Sequence, residues 1–236
     1  MSSGDGADAS SRWADASTFV RKVHRRALRE TFGRRARARS YLHTWIDVGA
    51  HEGEQTFPYA AADSSLLVYA FEPNLGAASR IMGRLRNYVV LPIAIAERDG
   101  SAELQLNAYE QSSSLLPADE AGVESWVTEQ EFKVIGSVTV PTMRLDTFMN
   151  GAGIASVDFL KIDAQGLDLE VVKSAGDRLR DVAKVQLEAT TVAYRQYEGA
   201  PGRSVIVEYM QSRGFRLAGE ESQSHGQEAN LTFSRA

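Results

Sequence analysis

The sequence predicts an α/β fold in which a mostly parallel sheet ends in an antiparallel pair of strands. Three observations indicate this fold. Short apolar strands alternate with helical segments over most of the chain, the first strand leads into a glycine turn, and two strand-like segments, residues 215–218 and 229–233, close the chain. Strands that alternate with helices pair in parallel, and ligands bind such sheets outside the carboxyl ends of the strands. Functional residues are therefore expected at those ends.

The first strand covers residues 45–48 and runs directly into Gly49 and Gly53, where the chain turns toward a helix. Glycine lets the backbone approach a ligand closely, because it has no side chain to collide with it. A strand, a glycine turn and a helix form the first nucleotide-binding unit of many α/β sheets. The same turn also serves as a plain tight corner, so this motif alone leaves both interpretations open.

The second strand, residues 66–71, favours the nucleotide-binding interpretation because it ends in Glu72 and Pro73. An acidic residue at the end of the second strand of such a sheet accepts hydrogen bonds from the ribose hydroxyls of an adenosine ligand. Glu72 is therefore predicted to bind a ribose.

The remaining elements follow from the period of the apolar residues and from the turn residues. We expect a helix at 75–85, a third strand at 88–95, and a turn at Asp99 that starts a hairpin into residues 101–108. Residues 110–131 show little periodicity and are interpreted as a functional or mobile loop. Further strands are expected at 136–143, 157–163 and 182–187, and helices at 144–150, 167–175 and 203–213.

The 236 residues are enough for one α/β domain, which we predict at residues 41–236. Residues 1–40 are predicted to be a disordered tail followed by a basic amphipathic helical arm, with a net charge of +6 against −11 for the rest of the chain. An acidic domain lacks the basic surface that binds phosphate backbones, so no nucleic-acid partner is expected. The arm either packs on the domain, forms a homodimer contact, covers the active site or holds an acidic acceptor.

Cysteine is absent from the sequence, which excludes disulfides, thiolate metal sites and cysteine nucleophiles. No apolar run approaches the ~18 residues that cross a bilayer, and no signal-peptide pattern opens the chain. We therefore expect no membrane span and a cytoplasmic location.

Acidic residues end four of the predicted strands: Asp47, Glu72, Asp163 and Glu188. Carboxylates gathered at one edge of a sheet are costly unless they bind ligands, metals or partners. Capping of the following helix explains any one of them, but it does not readily explain all four. Lys161 shares a strand face with Asp163 and is expected to neutralise it. The sequence therefore predicts one ligand site at this edge.

Five motifs, in order, resemble those of FkbM-type S-adenosylmethionine-dependent methyltransferases. They are residues 46–53 (IDVGAHEG), 71–73 (FEP), 113–115 (SSL), 144–146 (RLD) and 161–166 (KIDAQG). The resemblance covers about residues 45–188. It implies a Rossmann-like class I methyltransferase fold with seven strands and S-adenosyl-L-methionine as cofactor. It also implies O-methylation of a hydroxyl on a sugar, a glycosylated acceptor or another natural product.

The resemblance further implies roles for single residues. Asp47, Gly49 and Gly53 would shape the methionine end of the cofactor site. Glu72 would bind the ribose, and residues 94–95 would form the adenine wall. The whole cofactor-binding set that it implies is Asp47, Gly49, His51, Gly53, Glu72, Pro73, Ala94, Ile95, Ser113 and Asp163.

Two positions depart from the family pattern: His51 stands where asparagine is usual, and Gln165 stands where glutamate is usual. An amide neither takes up a proton nor binds a hard cation as well as a carboxylate does. A divalent cation such as Mg²⁺ is therefore not favoured, and no metal ligands are predicted. The candidates for the acceptor of the hydroxyl proton are Asp163, His51, Glu188 and His225. Asp163 is expected to matter most, and His225, in the polar stretch 220–228, is expected to be a solvated loop residue.

Three other classes of function compete with methyl transfer. A nicotinamide-dependent dehydrogenase would need the middle glycine of G-x-G-x-x-G, which this turn lacks. A metal-dependent hydrolase would use His51, Asp163 and Glu188, but no ligand pair with metal-binding spacing supports it. A non-catalytic nucleotide-binding scaffold with a partner-docking basic helix is the third. Sugar, polyketide and lipid-linked glycan acceptors all fit methyl transfer, and the loops at 108–135 and 190–202 would choose among them.

Overall fold

The computed structural model describes residues 41–125 and 132–236. The predicted disordered tail and basic helix of residues 1–40, and with them the homodimer contact, lie outside the described residues. Within the described ranges, no helix combines the length and the apolar character needed to pass through a bilayer.

Short strands and helices alternate along the described chain. The strands are β1 His43–Val48, β2 Leu66–Phe71, β3 Tyr88–Leu91, β4 Ala94–Ile95, β5 Gly100–Asn107, β6 Val134–Met143, β7 Phe159–Ile162, β8 Lys184–Thr190, β9 Phe215–Gln223 and β10 Glu228–Arg235. The α-helices are α1 Phe57–Ala62, α2 Leu75–Ile81, α3 Glu120–Glu124, α4 Leu145–Ala152, α5 Asp168–Ser174 and α6 Arg203–Ser212. Short 3₁₀ segments are Glu110–Ser112, Gly176–Asp181 and Ser224–Gly226.

Seven strands form the main sheet in the order β3-β2-β1-β7-β8-β10-β9. Neighbouring strands are parallel, except that β10 runs antiparallel to both β8 and β9. This confirms the prediction of a mostly parallel seven-stranded sheet with an antiparallel last pair. β7 lies beside β1, in a register that pairs Lys161 with Asp47. The carboxyl ends of β1, β2, β7 and β8 therefore meet at one edge.

β2 consists of apolar and aromatic residues along its whole length, because both faces of the sheet are covered at this strand. Every residue of β2 is buried. On one face, the ring of Phe148 in α4 packs edge-on against Phe71 at 4.8 Å between centroids. On the other face, Val68 clusters with Ile81 of α2. Each such side chain contributes ~1.5–3 kcal/mol through its removal from water, so the sheet edge rests on a rigid core.

The third predicted strand, residues 88–95, is two strands in the structure. β3 ends at Leu91, and after Pro92 the short strand β4 leaves the main sheet to pair in parallel with β6. Proline has no N–H for the sheet ladder, which is therefore interrupted at this point. β4, β6 and β5 form a separate three-stranded sheet beside the ligand edge.

The prediction of a hairpin that starts at Asp99 was wrong about the partner strand. β5 pairs antiparallel with β6, with Gly100 opposite Thr142, and makes no ladder with the strand before the turn. Asp99 instead accepts hydrogen bonds from Arg144 N at 2.8 Å and from Thr147 Oγ1 at 3.0 Å. The turn is thereby attached to the start of α4, which the local turn signal could not indicate.

The last two strands are longer than predicted and take in most of the stretch 220–228, which looked like a polar loop. β9 is an edge strand, and its residues Glu220 and Glu221 are exposed. Charged residues on an edge strand prevent it from pairing with other chains, and they hide the strand pattern in the sequence. The turn Ser224–Gly226 joins β9 to β10.

Candidate active site

A cavity of about 550 Å³ opens at the carboxyl ends of β1, β2, β7 and β8. Two residues predicted for the site, Asp47 and Gly53, do not line it. The predicted residues that do line it are Gly49, His51, Glu72, Pro73, Ala94, Ile95, Ser113, Asp163, Glu188 and His225. The fold thus brings residues from seven separate stretches of the sequence to one edge of the sheet.

Gly49 brings β1 into direct contact with the turn that follows β7. Its φ is +72°, and a Cβ at this position would lie 1.8 Å from the carbonyl oxygen of Asp163. Only glycine satisfies both conditions. Asp163 N also donates a hydrogen bond to Val48 O at 2.9 Å, so the two turns are locked together. Gly53 lies behind the cavity wall, where a Cβ would lie 2.9 Å from the hydroxyl of Tyr88.

Asp47 is also behind the cavity wall, in a buried polar group with Lys161. Its Oδ2 accepts a hydrogen bond from Thr56 Oγ1 at 2.5 Å, and its Oδ1 lies 3.1 Å from Lys161 Nζ. Lys161 Nζ donates to Gly49 O at 2.7 Å and lies 3.7 Å from Asp163 Oδ2. Burial alone would lower the pKa of Lys161, but the carboxylates of Asp47 and Asp163 raise it above its ordinary value. A charged lysine therefore supports the glycine turn from behind, and its nearest carboxylate is Asp47.

Glu72 follows β2 and presents its carboxylate to the cavity, although only 7% of the residue is exposed. Its Oε2 accepts a hydrogen bond from His51 N and its Oε1 accepts one from Asn74 N, both at 2.8 Å. Burial raises the pKa of Glu72 above its ordinary value, and the two backbone hydrogen bonds act against that rise. Each carboxylate oxygen keeps a second lone pair, which the two hydroxyls of a ribose can use.

His51 connects the glycine turn to the 3₁₀ turn after β5. Its Nδ1 lies 2.6 Å from Glu54 Oε1, and its Nε2 lies 3.1 Å from Glu110 Oε2. Burial alone would lower the pKa of His51, but hydrogen bonds with Glu54 and Glu110 raise it above its ordinary value. Arg80 pairs with the same carboxylate of Glu110. With both ring nitrogens held by carboxylates, His51 is poorly suited to take up a substrate proton in this arrangement.

Asp163 is oriented by Gln165, the residue that departs from the family pattern. Gln165 Nε2 donates a hydrogen bond to Asp163 Oδ1 at 2.6 Å, and Asp163 has 31% of its side chain exposed. The hydroxyl of the buried Tyr197 lies 2.7 Å from Gln165 Oε1 and 2.7 Å from Ser112 O. Both ends of the glutamine amide are therefore engaged. This leaves Asp163 Oδ2 as the carboxylate oxygen that faces Lys161 and the cavity.

Three more carboxylates lie beyond Asp163. Asp168 begins α5 and accepts a hydrogen bond from the backbone N–H of Glu188 at 3.2 Å, while Glu188 and Glu228 line the cavity. Burial, with repulsion from Asp163, raises the pKa of Asp168 to about 7. Burial also raises the pKa of Glu228 to about 7 and that of Glu188 well above its ordinary value. This end of the cavity therefore retains protons at a pH where ordinary carboxylates have lost them.

The opposite end of the cavity is apolar. Ala94 and Ile95 of β4 line it together with Leu104 of β5, and all three are buried. Ser113 borders this wall, and its hydroxyl accepts a hydrogen bond from Asn107 N at 3.2 Å. An apolar wall beside a buried carboxylate suits a ligand that joins a flat base to a hydroxylated sugar.

The family model for the methyltransferase FkbM domain matches residues 47–217, which is more than half of the chain. The chain belongs to the FkbM methyltransferase family. It is therefore an S-adenosylmethionine-dependent methyltransferase, as the motifs indicated. The metal-dependent hydrolase and the non-catalytic scaffold are set aside by this result.

Similar proteins extend this comparison. The 2-O-methyltransferase NoeI of Sinorhizobium fredii (strain NBRC 101917 / NGR234) is 24% identical over 173 residues, which cover 68% of this chain and 68% of NoeI. Streptococcus pneumoniae Sp1610, solved with S-adenosyl-L-methionine, has a TM-score of 0.46 at 11% identity, over 81% of this chain and 65% of that one. A SAM-dependent methyltransferase from Aquifex aeolicus has a TM-score of 0.43 at 13% identity, over 82% of both chains. This chain thus spans just under two thirds of Sp1610.

The cavity of this FkbM methyltransferase fits its cofactor on three observations. Gly49 presents backbone with no side chain at the turn after β1. Glu72 offers acceptor lone pairs to ribose hydroxyls, and Ala94 and Ile95 offer an apolar surface to the base.

The described residues hold no group of three or more His, Asp or Glu side chains arranged for a metal ion.

Sequence reasoning missed several residues of this FkbM methyltransferase that line the cavity. Glu228 and Gln227 were hidden in the polar stretch 220–228, and Gln196 was hidden in the loop after β8. No local motif marks these positions, since only the antiparallel pairing of β10 with β8 brings Glu228 to this edge. His225 is exposed at the cavity rim, in the turn between β9 and β10.

Proposed function

We propose that this FkbM methyltransferase transfers a methyl group to a hydroxyl oxygen of a sugar or a glycosylated acceptor. The observation that carries the proposal is the single cavity that runs from Glu72 and the apolar wall to Asp163 and Glu188. One end of it suits an adenosine, and the other end suits a hydroxylated molecule. The similarity to a protein named as a 2-O-methyltransferase supports oxygen as the methylated atom.

The residues at the glycine turn would hold the cofactor. Glu72 would accept hydrogen bonds from the ribose hydroxyls, and the wall at Ala94 and Ile95 would contact the adenine. When bound, S-adenosyl-L-methionine supplies the methyl carbon, whose bond to sulfur breaks as its bond to the acceptor oxygen forms. The rigid turn at Gly49 would contribute by positioning, which is worth ~7–11 kcal/mol of a barrier when reacting atoms are held in line.

Asp163 is the residue that best fits the role of proton acceptor. Its Oδ1 is already bonded to Gln165, so its Oδ2 is the oxygen that would take the proton from the acceptor hydroxyl. Oδ2 is also the oxygen that lies 3.7 Å from Lys161 Nζ. The other candidates are less suitable, because His51 is engaged at both ring nitrogens and His225 is exposed at the rim.

The proposal includes no catalytic metal ion. The residue beside Asp163 is an amide, and its oxygen accepts a hydrogen bond from Tyr197. A hard cation prefers carboxylate oxygens, and a glutamine oxygen that is already bonded to a tyrosine is a poor substitute. Methyl transfer is therefore expected to be indifferent to chelators.

The test is transfer of labelled methyl from S-adenosylmethionine to a panel of glycosylated metabolites, with and without a chelator. Asp163→Asn keeps the size of the side chain and removes its charge, so we expect turnover to fall roughly 100-fold to 10,000-fold while cofactor affinity stays close to wild type. Asp177→Asn is the matched control, because Asp177 is exposed and lies outside the cavity.

Near-normal turnover of the Asp163→Asn protein would remove Asp163 from the mechanism. Loss of wild-type turnover on chelation, restored by Mg²⁺, would contradict the metal-free proposal. If labelled methyl reaches no hydroxylated acceptor in the panel, or reaches only nitrogen, the proposal of O-methylation fails.

A further inference from the structure

The end of the cavity beyond Asp163 is acidic, and the part of the chain that the structure describes places no unpaired lysine or arginine there. Glu188 and Glu228 line it together with Asp163. Lys161 is the one lysine or arginine among the described residues that line the cavity, and it is occupied by Gly49 O and the carboxylate of Asp47. A ligand at this end therefore meets carboxyl groups whose ionisation is disfavoured until a positive charge lies beside them.

This acidity lies across the cavity from the predicted ribose-binding end. Glu72 follows β2, whereas Glu188 lies on β8, three strands away, and Glu228 lies on β10, four strands away. Neighbouring strands are ~4.8 Å apart, so the two carboxylates lie roughly 14 Å and 19 Å across the sheet from β2. They belong to the part of the cavity that is left for the acceptor.

Gln227 adds an unpartnered acceptor at the same end. The residue is 7% exposed, it lines the cavity, and its Oε1 has no hydrogen-bond partner within the described ranges. Its Nε2 lies 2.7 Å from Tyr194 Oη and 3.4 Å from the carbonyl oxygen of Ser125. The carbonyl oxygen of Ser125 can only accept a hydrogen bond, so the amide group of Gln227 must turn its nitrogen toward Ser125. The amide oxygen of Gln227 is then left without a partner. A buried acceptor without a donor is unfavourable, and it adds to the excess of acceptor groups at this end of the cavity.

Three kinds of acceptor molecule can be compared at this end. An anionic sugar would add a negative charge beside carboxylates that already repel one another. A neutral polyol would supply donors but would leave that repulsion in place. A protonated amine supplies up to three N–H donors and a compensating charge, and hydrogen bonds between ions are about twice as strong as those between neutral groups.

We propose that the acceptor of this methyltransferase is an aminated polyol, such as an amino sugar, whose ammonium group is bound by Glu188 and Glu228. This inference rests on the proposed O-methylation and specifies its substrate class. It assigns Glu188 to substrate binding and leaves the proton of the hydroxyl to Asp163.

The electrostatics of the free protein agree with this assignment. Burial raises the pKa of both Glu188 and Glu228, and the carboxylate of Asp163 adds to the rise at each. The other ionisable groups around the pair are Asp168, the Lys161 ammonium, the Tyr197 phenol and, at the exposed rim of the cavity, His225. The ammonium of Lys161 lies closest to the carboxylate of Asp47. A cationic ligand would therefore give Glu188 and Glu228 the opposite charge that Lys161 supplies only in part.

The test measures binding without turnover, on the full chain saturated with S-adenosylhomocysteine. Calorimetry at pH 8 compares the methyl glycosides of glucosamine, N-acetylglucosamine, glucose and glucuronic acid. We expect the glucosamine probe to bind at least about 10-fold more tightly than the other three. Glu228→Gln and Glu188→Gln are each expected to weaken binding of the glucosamine probe by roughly 10-fold to 100-fold and to leave the glucose probe nearly unchanged. Glu221→Gln, on exposed strand surface outside the cavity, is the matched control.

Equal binding of the four probes, tighter binding of the glucuronide, or no binding of the amine would overturn the inference. So would variants at Glu188 and Glu228 that weaken the glucose probe as much as the glucosamine probe, since that result indicates altered packing. Thermal unfolding of each variant separates lost binding from lost folding. Because the readout needs no methyl transfer, the charge preference and the proposed O-methylation can fail independently.

Discussion

The close contact between Gly49 and Asp163 gives a prediction whose size follows from the geometry. In Gly49→Ala, the new Cβ would lie 1.8 Å from Asp163 O, whereas ordinary contacts begin at 3.4 Å. The turn after β7 would have to retreat by about 1.6 Å, the difference between these two distances. The hydrogen bond of 2.9 Å from Asp163 N to Val48 O does not survive a shift of that size.

The cost has two parts. Alanine at positive φ costs ~1–2 kcal/mol, and the lost hydrogen bond costs ~1 kcal/mol, so the free energy of unfolding should fall by ~2–3 kcal/mol. Gly83→Ala is the matched control, because Gly83 has a φ of +77° and nothing within 4 Å of an added Cβ. It should lose only the ~1–2 kcal/mol that comes from the backbone conformation.

Urea unfolding of the two variants and the wild type measures this difference. Calorimetry should also show weaker binding of S-adenosylmethionine by Gly49→Ala and unchanged binding by Gly83→Ala, because only Gly49 lines the cavity. If Gly49→Ala is no less stable than Gly83→Ala and binds the cofactor equally well, then the contact between β1 and the turn after β7 is not the constraint that we describe.

Two further predictions concern carboxylates at the sheet edge. Glu72→Ala should weaken binding of S-adenosylmethionine by roughly 10-fold to 150-fold, because a charge-assisted hydrogen bond contributes ~1.5–3 kcal/mol. Calorimetry checks this against the exposed control Glu208→Ala, and unchanged affinity would rule out the ribose contact. Asp168 has a pKa raised from 3.8 to about 7, so the folded protein binds a proton that the unfolded chain releases, and this group's contribution to stability is lost as pH rises from about 4 to about 7. Asp168→Asn should therefore gain stability over the wild type between pH 5 and pH 8, by on the order of 1–4 kcal/mol in urea unfolding, and a difference that does not change with pH would contradict the raised pKa.

The sequence was sufficient to predict the features that depend on local pattern. The apolar run of β2, the glycine turn after β1 and the acidic residues at strand ends each have a short-range cause, and together they indicated both the parallel sheet and the edge that holds the cavity. Adjacency of β7 to β1 followed from the topology of such sheets and is confirmed by the pairing of Lys161 with Asp47.

Features that depend on tertiary contacts were missed. The side chain of Asp47 contacts Lys161 and Thr56 behind the cavity wall. The sequence motif does not indicate this, because an aspartate at the end of β1 can point either into the cavity or away from it. β5 pairs with a strand that lies more than 25 residues later, so the turn signal at Asp99 was misleading. Glu228 comes to the cavity only through strand pairing across the sheet.

The order of the lining residues along the chain has a consequence for how such enzymes diversify. The wall with Glu72, the glycine turn and β4 comes from residues 48–115, whereas the acidic end comes largely from residues 161–228. Under the proposed assignment, changes in residues 161–228 would alter the binding of the acceptor, while residues 48–115 would keep the contacts with the methyl donor. The acceptor preference of this chain could then change without rebuilding its cofactor site.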